Sequence, residues 1–254
     1  MAEGQELPPL SRPVRKQEHA DQVKSYIQQG APEQLARKVV TKDILAERRE
    51  KRVSEWKERA MIDALTGAFN RRYFDEQLKD VLAVTQRQAS EGLPTQFGVL
   101  IFDLDRFKSI NDRFSHGEGD RVLKSFADCM QGLIREEDVF ARYGGEEFAL
   151  IIRQAQKLSP EALALMVERY RTEIAATVKA GSIGEPKTES VTASIGLVLF
   201  PNGAQINQPE DLTLCADKAL YQAKAGGRNQ AVKFMGVDSD GAPQFSKVEV
   251  SPKG

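Results

Sequence analysis

Asp138-Val-Phe-Ala-Arg-Tyr-Gly-Gly-Glu-Glu-Phe-Ala-Leu-Ile-Ile-Arg153 is the stretch that decides how this chain folds. Two β-prone runs, Asp138 to Tyr143 and Glu147 to Arg153, flank Gly144-Gly145, which predicts a β-hairpin. Working outward, Phe97-Gly-Val-Leu-Ile-Phe-Asp103 reads as a buried strand ending in an acid. Val191 to Phe200 reads as a further strand and Ala231 to Phe234 as a short one. Helices fill the gaps. Asp63 suits the N-cap of a helix through about Ala89, and Gly92-Leu93-Pro94 then breaks the chain. Phe107 to Phe114 and about Asp120 to Ile134 are predicted helices. Ser159, with Pro160 behind it, starts another that continues to about Lys179. A last helix, Asp211 to Ala225, closes at Gly226-Gly227. This order contains βαββαβ, the ferredoxin-like unit: an antiparallel sheet with helices on one face. The expected class is α+β, and the topology puts the end of the first strand beside the central hairpin.

The 254 residues carry 36 Lys/Arg against 37 Asp/Glu, a net charge of -1, and 41% are hydrophobic. At about 100–200 residues per domain, this suits one main domain with an extension. The apolar fraction is too high for wholesale disorder. The charge balance argues against a chain built to coat nucleic acid. No apolar run approaches the roughly 18 residues of a membrane span. Met1 to Pro13 holds no secretory-signal core. Cys129 and Cys215 are too few for a disulfide framework or a zinc site. A cytoplasmic location is expected. Residues 1–15, Pro-rich and polar, and the tail 236–254 are expected to be disordered. Residues 16–62 read as helical, broken at Gly30-Ala31-Pro32. Ser11 to Ala60 carries 13 Lys/Arg against 8 Asp/Glu, a net +5, so the near-neutral total joins a basic arm to an acidic remainder. Val39, Ala46, Val53 and Ala60 recur every seven residues, but half of the companion row, Lys42 and Arg49 beside Leu35 and Trp56, is polar. The segment reads either as a weak coiled-coil stalk or as a solvated helix leading into the domain at 63–235.

The chemistry centres on acids. Asp103 and Asp105 end the buried strand and share a face, with Leu104 pointing the other way. Glu146 and Glu147 sit at the hairpin, where alternation should make them diverge, so one of the two is the better direct ligand. Carboxylates at adjoining strand ends are hard oxygen donors suited to Mg²⁺; strand ends are also acidic simply because water reaches them. Gly144 and Gly145 let a phosphate approach the backbone. Lys108 follows Phe107 at a helix start, where backbone N–H groups favour phosphate. Lys224 and Arg228 lie at a helix end, where cations either hold phosphate or complement the helix dipole.

These residues resemble the GGDEF family of diguanylate cyclases. Five segments match in order: Asp63-Ala-Leu-Thr-Gly-Ala-Phe-Asn-Arg-Arg72, Phe102-Asp-Leu-Asp-Arg-Phe-Lys-Ser-Ile-Asn-Asp112 continuing to His116 and Gly119-Asp120, Arg142-Tyr-Gly-Gly-Glu-Glu-Phe148, Val191-Thr-Ala-Ser-Ile-Gly196, and Ala216-Asp-Lys-Ala-Leu-Tyr-Gln-Ala-Lys-Ala-Gly-Gly-Arg-Asn229. The resemblance implies an enzyme that condenses two GTP into cyclic di-GMP on a palm-type sheet. It implies Mg²⁺, with Mn²⁺ as an alternative, and a homodimer. Asp103 then resembles the metal-binding aspartate, with the Leu104 carbonyl as a neighbouring ligand. Gly144-Gly145-Glu146-Glu147-Phe148 resembles the signature loop, with Glu146 on metal and helping to deprotonate the attacking 3′-hydroxyl. Glu147 supports a second metal or the loop. Asn111 and Asp120 match the guanine-reading pair, an amide and a carboxylate that adenine would leave unpaired; either could also cap a helix. Phe107 and Lys108 match the loop over the phosphates, and Lys224 and Arg228 the phosphate-holding cations. His116, in the same segment, either contacts substrate or packs.

Arg135-Glu-Glu-Asp138 stands five residues before Gly144, the spacing of the family's RxxD product-inhibition site. The alternative is a helix-end charge pair. Two positions depart from the family pattern. Ser115 stands where glycine is usual, which matters if that position needs positive φ, and Ala68 where leucine is common. Intact Asp103, Glu146, Asn111, Asp120, Lys224 and Arg228 argue against a non-catalytic GGDEF-like receptor that binds GTP or cyclic di-GMP. The input signal stays open, and the N-terminal helix is a candidate for an unidentified partner.

Overall fold

The computed structural model describes residues 61–155, 158–181, 188–201, 206 and 208–250, with scattered residues between 21 and 40. The chain forms two units, Met1–Ala60 and Met61–Gly254. In the first, Asp21, Val23 to Ser25 and Ile27-Gln28 are helical. A turn follows at Gly30, whose φ is 89°, at the expected break. The whole seven-residue pattern, and residues 1–15, lie outside the described residues.

In the second unit, a seven-stranded sheet has the order β1-β3-β4-β2-β7-β8-β9. Its strands are β1 (Phe69–Asn70), β2 (Phe97–Leu104), β3 (Val139–Arg142), β4 (Glu147–Ile152), β7 (Ala193–Phe200), β8 (Ala231–Val237) and β9 (Pro243–Lys247). A two-stranded ladder pairs β5 (Lys179–Ala180) with β6 (Glu189–Ser190). The helices are α1 (Arg71–Ser90), α2 (Phe107–Arg113), α3 (His116–Gln131), α4 (Pro160–Thr177) and α5 (Pro209–Ala225). β3 and β4 form the predicted hairpin, with Arg142 opposite Phe148. β2 runs antiparallel to both β4 and β7, so β2-β3-β4-β7 is the ferredoxin-like unit.

Alternation along β2 makes two cores. Leu100, Phe102 and Leu104 pack with α2, α3 and α4. Phe97, Val99 and Ile101 pack with α1 and α5. The helices inside the βαββαβ unit thus lie on one face, as expected, while α1 and α5, outside it, cover the other. Gly196 explains part of one sequence match. A Cβ there would stand 2.1 Å from the Ala216 carbonyl oxygen, so only glycine lets α5 lie this close to β7.

Three boundaries are corrected. Asp63 does not cap α1; Asn70 does, its Oδ1 accepting from the Tyr73 N–H at 3.1 Å. α3 starts at His116 rather than Asp120, because the Ser115 hydroxyl accepts from the Glu118 N–H. The tail is not disordered from 236. β8 runs to Val237 and β9 pairs with it, Phe234 opposite Phe245. The two rings meet edge to face at 5.8 Å, and this apolar pair anchors an otherwise exposed strand. Ser159 caps α4 through the Ala162 N–H at 3.2 Å, as predicted.

Candidate active site

The site is built where β2 ends beside the hairpin. Asp103 pairs with Glu147 across β2 and β4. Glu147 shares its parity with Ala149 and Ile151, which face α1 and α5, so its side chain emerges on the same face as Asp103. Glu146 sits in the turn. Its carbonyl accepts from the Leu104 N–H at 3.3 Å, while its carboxylate has no hydrogen bond or ion pair among the described residues. The two glutamates thus differ in setting, Glu147 on the strand and Glu146 in the turn.

The cations come from α5. Lys224 Nζ lies 2.7 Å from Asp103 Oδ2, and the Asp103 side chain is only 13% exposed. Burial pushes the Asp103 carboxyl above the usual range, against the hydrogen bond and charge of Lys224 and the charge of Arg228. Burial also raises Glu147, and the charges of Asp103 and Asp217 add to this. Asp217, about two turns before Lys224 on α5, is raised by burial too. Neither Asp217 nor Arg71, whose guanidinium lies 4.4 Å over the Tyr143 ring, stood out in the sequence. Both lie inside the matching segments, Asp63 to Arg72 and Ala216 to Asn229, which was the available signal.

The acids suit a small hard cation. Among the described residues no three metal-ligating side chains converge. Mg²⁺, however, keeps several waters and takes one or two carboxylates plus substrate phosphates. Asp103 and Glu147, forced together on one face, supply that set, and their mutual repulsion favours a positive partner.

Asp105 does not join them. It lies just past β2 and is 92% buried by its 8% exposure. Its oxygens accept from Thr192 Oγ1 at 2.6 Å, Ser194 Oγ at 2.7 Å and the Asn229 N–H at 3.0 Å. It keeps the face it shares with Asp103, since Ser194, which donates to it, lies opposite Asp103; what sets it apart is that these three donors saturate it.

Asn111, Phe107 and Gly119 form a second cluster between α2 and α3. Asn111 Oδ1 is the one buried side-chain atom without a hydrogen-bond partner among the described residues. A Cβ on Gly119 would come within 1.9 Å of it, and within 3.1 Å of the Phe107 ring. Gly119 is thus required for this pocket, a residue the sequence placed in a motif without a role. Asp120 and His116 are exposed on α3, and Lys108 is exposed on the first turn of α2. Ser115 takes φ 157° and ψ 167°, a conformation largely restricted to glycine.

The hairpin is held from outside. Arg142 donates through Nε and Nη2 to the Gly145 carbonyl, at 3.1 and 2.9 Å. Its Nη1 lies 3.3 Å from Asp63 Oδ1. Asp63 in turn accepts from the Thr66 N–H and hydroxyl. Burial works against the Asp63 charge, but Thr66 and Arg142 hold its carboxyl below the usual range. The first and third matching segments are therefore one bracket around the signature turn.

Arg135 and Asp138 lie apart from these residues. Arg135 is exposed beside a cavity of about 470 Å³ lined by Ile62, Phe69, Ile134 and Phe140. Asp138 is buried and points inward, accepting from the Arg153 N–H at 3.2 Å and the Arg135 N–H at 3.4 Å. Burial raises its carboxyl, and burial together with the Asp138 charge pushes Tyr170 up to about 12.

A palm-like sheet with acids at the end of its central strand, opposed by helix-end cations, defines a class of nucleotide-handling domain. The model of the family described as "Diguanylate cyclase, GGDEF domain" matches residues 60–230, and the chain belongs to that family. It is 38% identical over 176 residues to the uncharacterized protein YhcK of Bacillus subtilis, covering 69% of this chain and 46% of that one. It is 36% identical over 170 residues to the diguanylate cyclase DgcS of Shewanella oneidensis, covering 67% and 51%. The chain spans about half the length of these curated relatives. The solved coiled coil and GGDEF domain of DgcB from Caulobacter crescentus, in complex with c-di-GMP, is similar with a TM-score of 0.65 and 25% identity. That match covers 78% of this chain and 98% of the other. No helix among the described residues is long and apolar enough to cross a membrane.

Proposed function

We propose that the chain is a Mg²⁺-dependent diguanylate cyclase that condenses two GTP into cyclic di-GMP and releases pyrophosphate. The observation that carries this reading is the meeting of Asp103, Glu147 and Lys224 at the end of β2. Asp103, the Leu104 carbonyl and the signature-loop glutamates would hold the cation, Mg²⁺ or Mn²⁺, which when bound neutralises the triphosphate and polarises the 3′-oxygen. Glu146, at the turn, helps take the proton of the attacking hydroxyl. Lys224 and Arg228 bring positive charge to the triphosphate, and Gly144, Gly145, Phe107 and Lys108 line its approach. Asn111 Oδ1, buried without a partner, needs a donor. Guanine offers N1–H and N2–H to Asn111 and Asp120, whereas adenine lacks that pair. His116 stands at the same helix start.

The product is two-fold symmetric, and one domain carries one such set of residues. Two domains must therefore face each other, and proximity controls the rate. The basic N-terminal unit would set that proximity, by pairing with its own copy or through a partner. Arg135, exposed beside an apolar cavity, would bind a phosphate and base of the product. Asp138 would act from beneath by fixing the Arg135 backbone. The test is direct: purified protein with GTP and Mg²⁺ should form cyclic di-GMP and pyrophosphate, and added product should slow it. Arg135→Ala should relieve that inhibition. A folded protein that makes no cyclic di-GMP would overturn the reading, and unchanged inhibition in Arg135→Ala would remove the product site.

A further inference from the structure

We propose that Arg171, on α4, is a positioning residue. Through Asn229 it holds the turn that carries Arg228, and so sets the cation that meets the triphosphate. The inference rests on the cyclase reading above and deepens it. The turn between α5 and β8 contains two successive non-glycine residues in left-handed conformation, Arg228 at φ 65° and Asn229 at φ 45°. Such a pair persists only where its surroundings over-determine it. Three hydrogen bonds restrain it. The Arg228 N–H donates to the Ala223 carbonyl at 3.0 Å. The Asn229 N–H donates to buried Asp105 at 3.0 Å. Arg171 Nη1 donates to Asn229 Oδ1 at 2.9 Å.

The first two ties come from the turn's own helix and from the end of β2. The third comes from the opposite layer, since α4 packs on the other face of the sheet from α5. Glu168 holds the guanidinium of Arg171 in a fork, through Nε at 2.8 Å and Nη2 at 2.5 Å, so the donor aimed at Asn229 is itself fixed. A cavity of about 600 Å³ opens behind the turn, between Arg171 and Lys247 of β9. Side chains do not fill that side, and the Arg171 bond is the restraint across it. Arg171 makes its bonds to Glu168 and Asn229, whereas Arg228 bears on Asp103 through its charge. The effect of Arg171 on the site therefore passes through the turn.

The experiment compares two unreactive ligands, 3′-deoxy-GTP and 3′-deoxy-GMP, by titration calorimetry with Mg²⁺. It uses the full chain and the variants Arg171→Ala, Asn229→Gly and their double. Glycine at 229 removes the amide yet suits the left-handed backbone. Loss of one bond to a charged group should weaken triphosphate binding about tenfold in each single variant. Monophosphate binding should stay within about twofold, and the double variant should be no weaker than either single one. Triphosphate affinity unchanged in both variants would overturn the proposal. So would equal losses for the two ligands, the mark of a merely structural residue, with melting temperatures read alongside. A wild-type chain that binds the triphosphate no better than the monophosphate would instead sink the phosphate roles of Lys224 and Arg228, and the cyclase reading with them.

Discussion

Asp103 and Asp105 leave the same strand two residues apart, and the fold treats them in opposite ways. Asp103 has one strong partner, Lys224, and shares its face with Glu147. Its carboxyl is raised by burial, so its surroundings disfavour the charge that it must carry to bind a cation. Asp105 is almost fully buried and yet satisfied by two hydroxyls and a backbone N–H. One acid is left short of partners and the other is saturated. Asp105 ties β2, β7 and the α5–β8 turn together, while Asp103 is the group that the proposed cyclase reading keeps for chemistry.

Substitutions can break this contrast. The largest effect should come from Asp103→Asn, which keeps shape and removes the charge. Turnover should fall about 10³-fold, with the urea midpoint unchanged or higher. A loss of stability instead would mean that Asp103 serves the fold. Asp105→Ala should instead cost the fold, and it also frees the turn that carries Arg228. It orphans Thr192, Ser194 and the Asn229 N–H, and at about 1–3 kcal/mol per unsatisfied buried group the loss should reach at least about 3 kcal/mol in urea unfolding.

A smaller effect sharpens the electrostatic half of the comparison. The carboxyl of Glu147 is raised in the folded chain, so between its unfolded and folded values the native state binds more protons than the unfolded one. Stability therefore falls as pH rises through that window. Glu147→Gln removes this loss. The variant should melt higher than wild type at pH 8, with the difference vanishing at pH 4 and below. An equal difference at both pH values would point to packing rather than charge. The smallest change is expected at Ser115. Glycine there should relieve its φ of 157° and raise stability by about 1 kcal/mol, less a few tenths for the lost cap of Glu118.

The sheet could be read from the chain because its strands are short, β-branched and punctuated by Gly-Gly and Gly-Leu-Pro. Gly144-Gly145 located the hairpin, and with it the neighbourhood of Asp103 and Glu147. What sequence could not show was which partners each carboxylate finds in the folded chain. Asp63 reads as a cap because Asp is a good one, but its partner, Arg142, lies 79 positions away. Asp138 reads as a ligand for product, yet two backbone N–H groups hold it inside. Asp217, Gly119 and Arg171 matter through contacts between layers, which local spacing does not encode. The ordered β9 was missed for the same reason. Its exposed, polar residues look like a tail until Phe245 meets Phe234.

On the proposed reaction, one domain of this chain is half of an active site. The most direct test follows cyclic di-GMP formed per protein molecule from GTP and Mg²⁺ as protein concentration is lowered, with light scattering on the same samples. Specific activity should rise with concentration and level off as the dimer fills. Constant specific activity in samples that remain monomeric would contradict it.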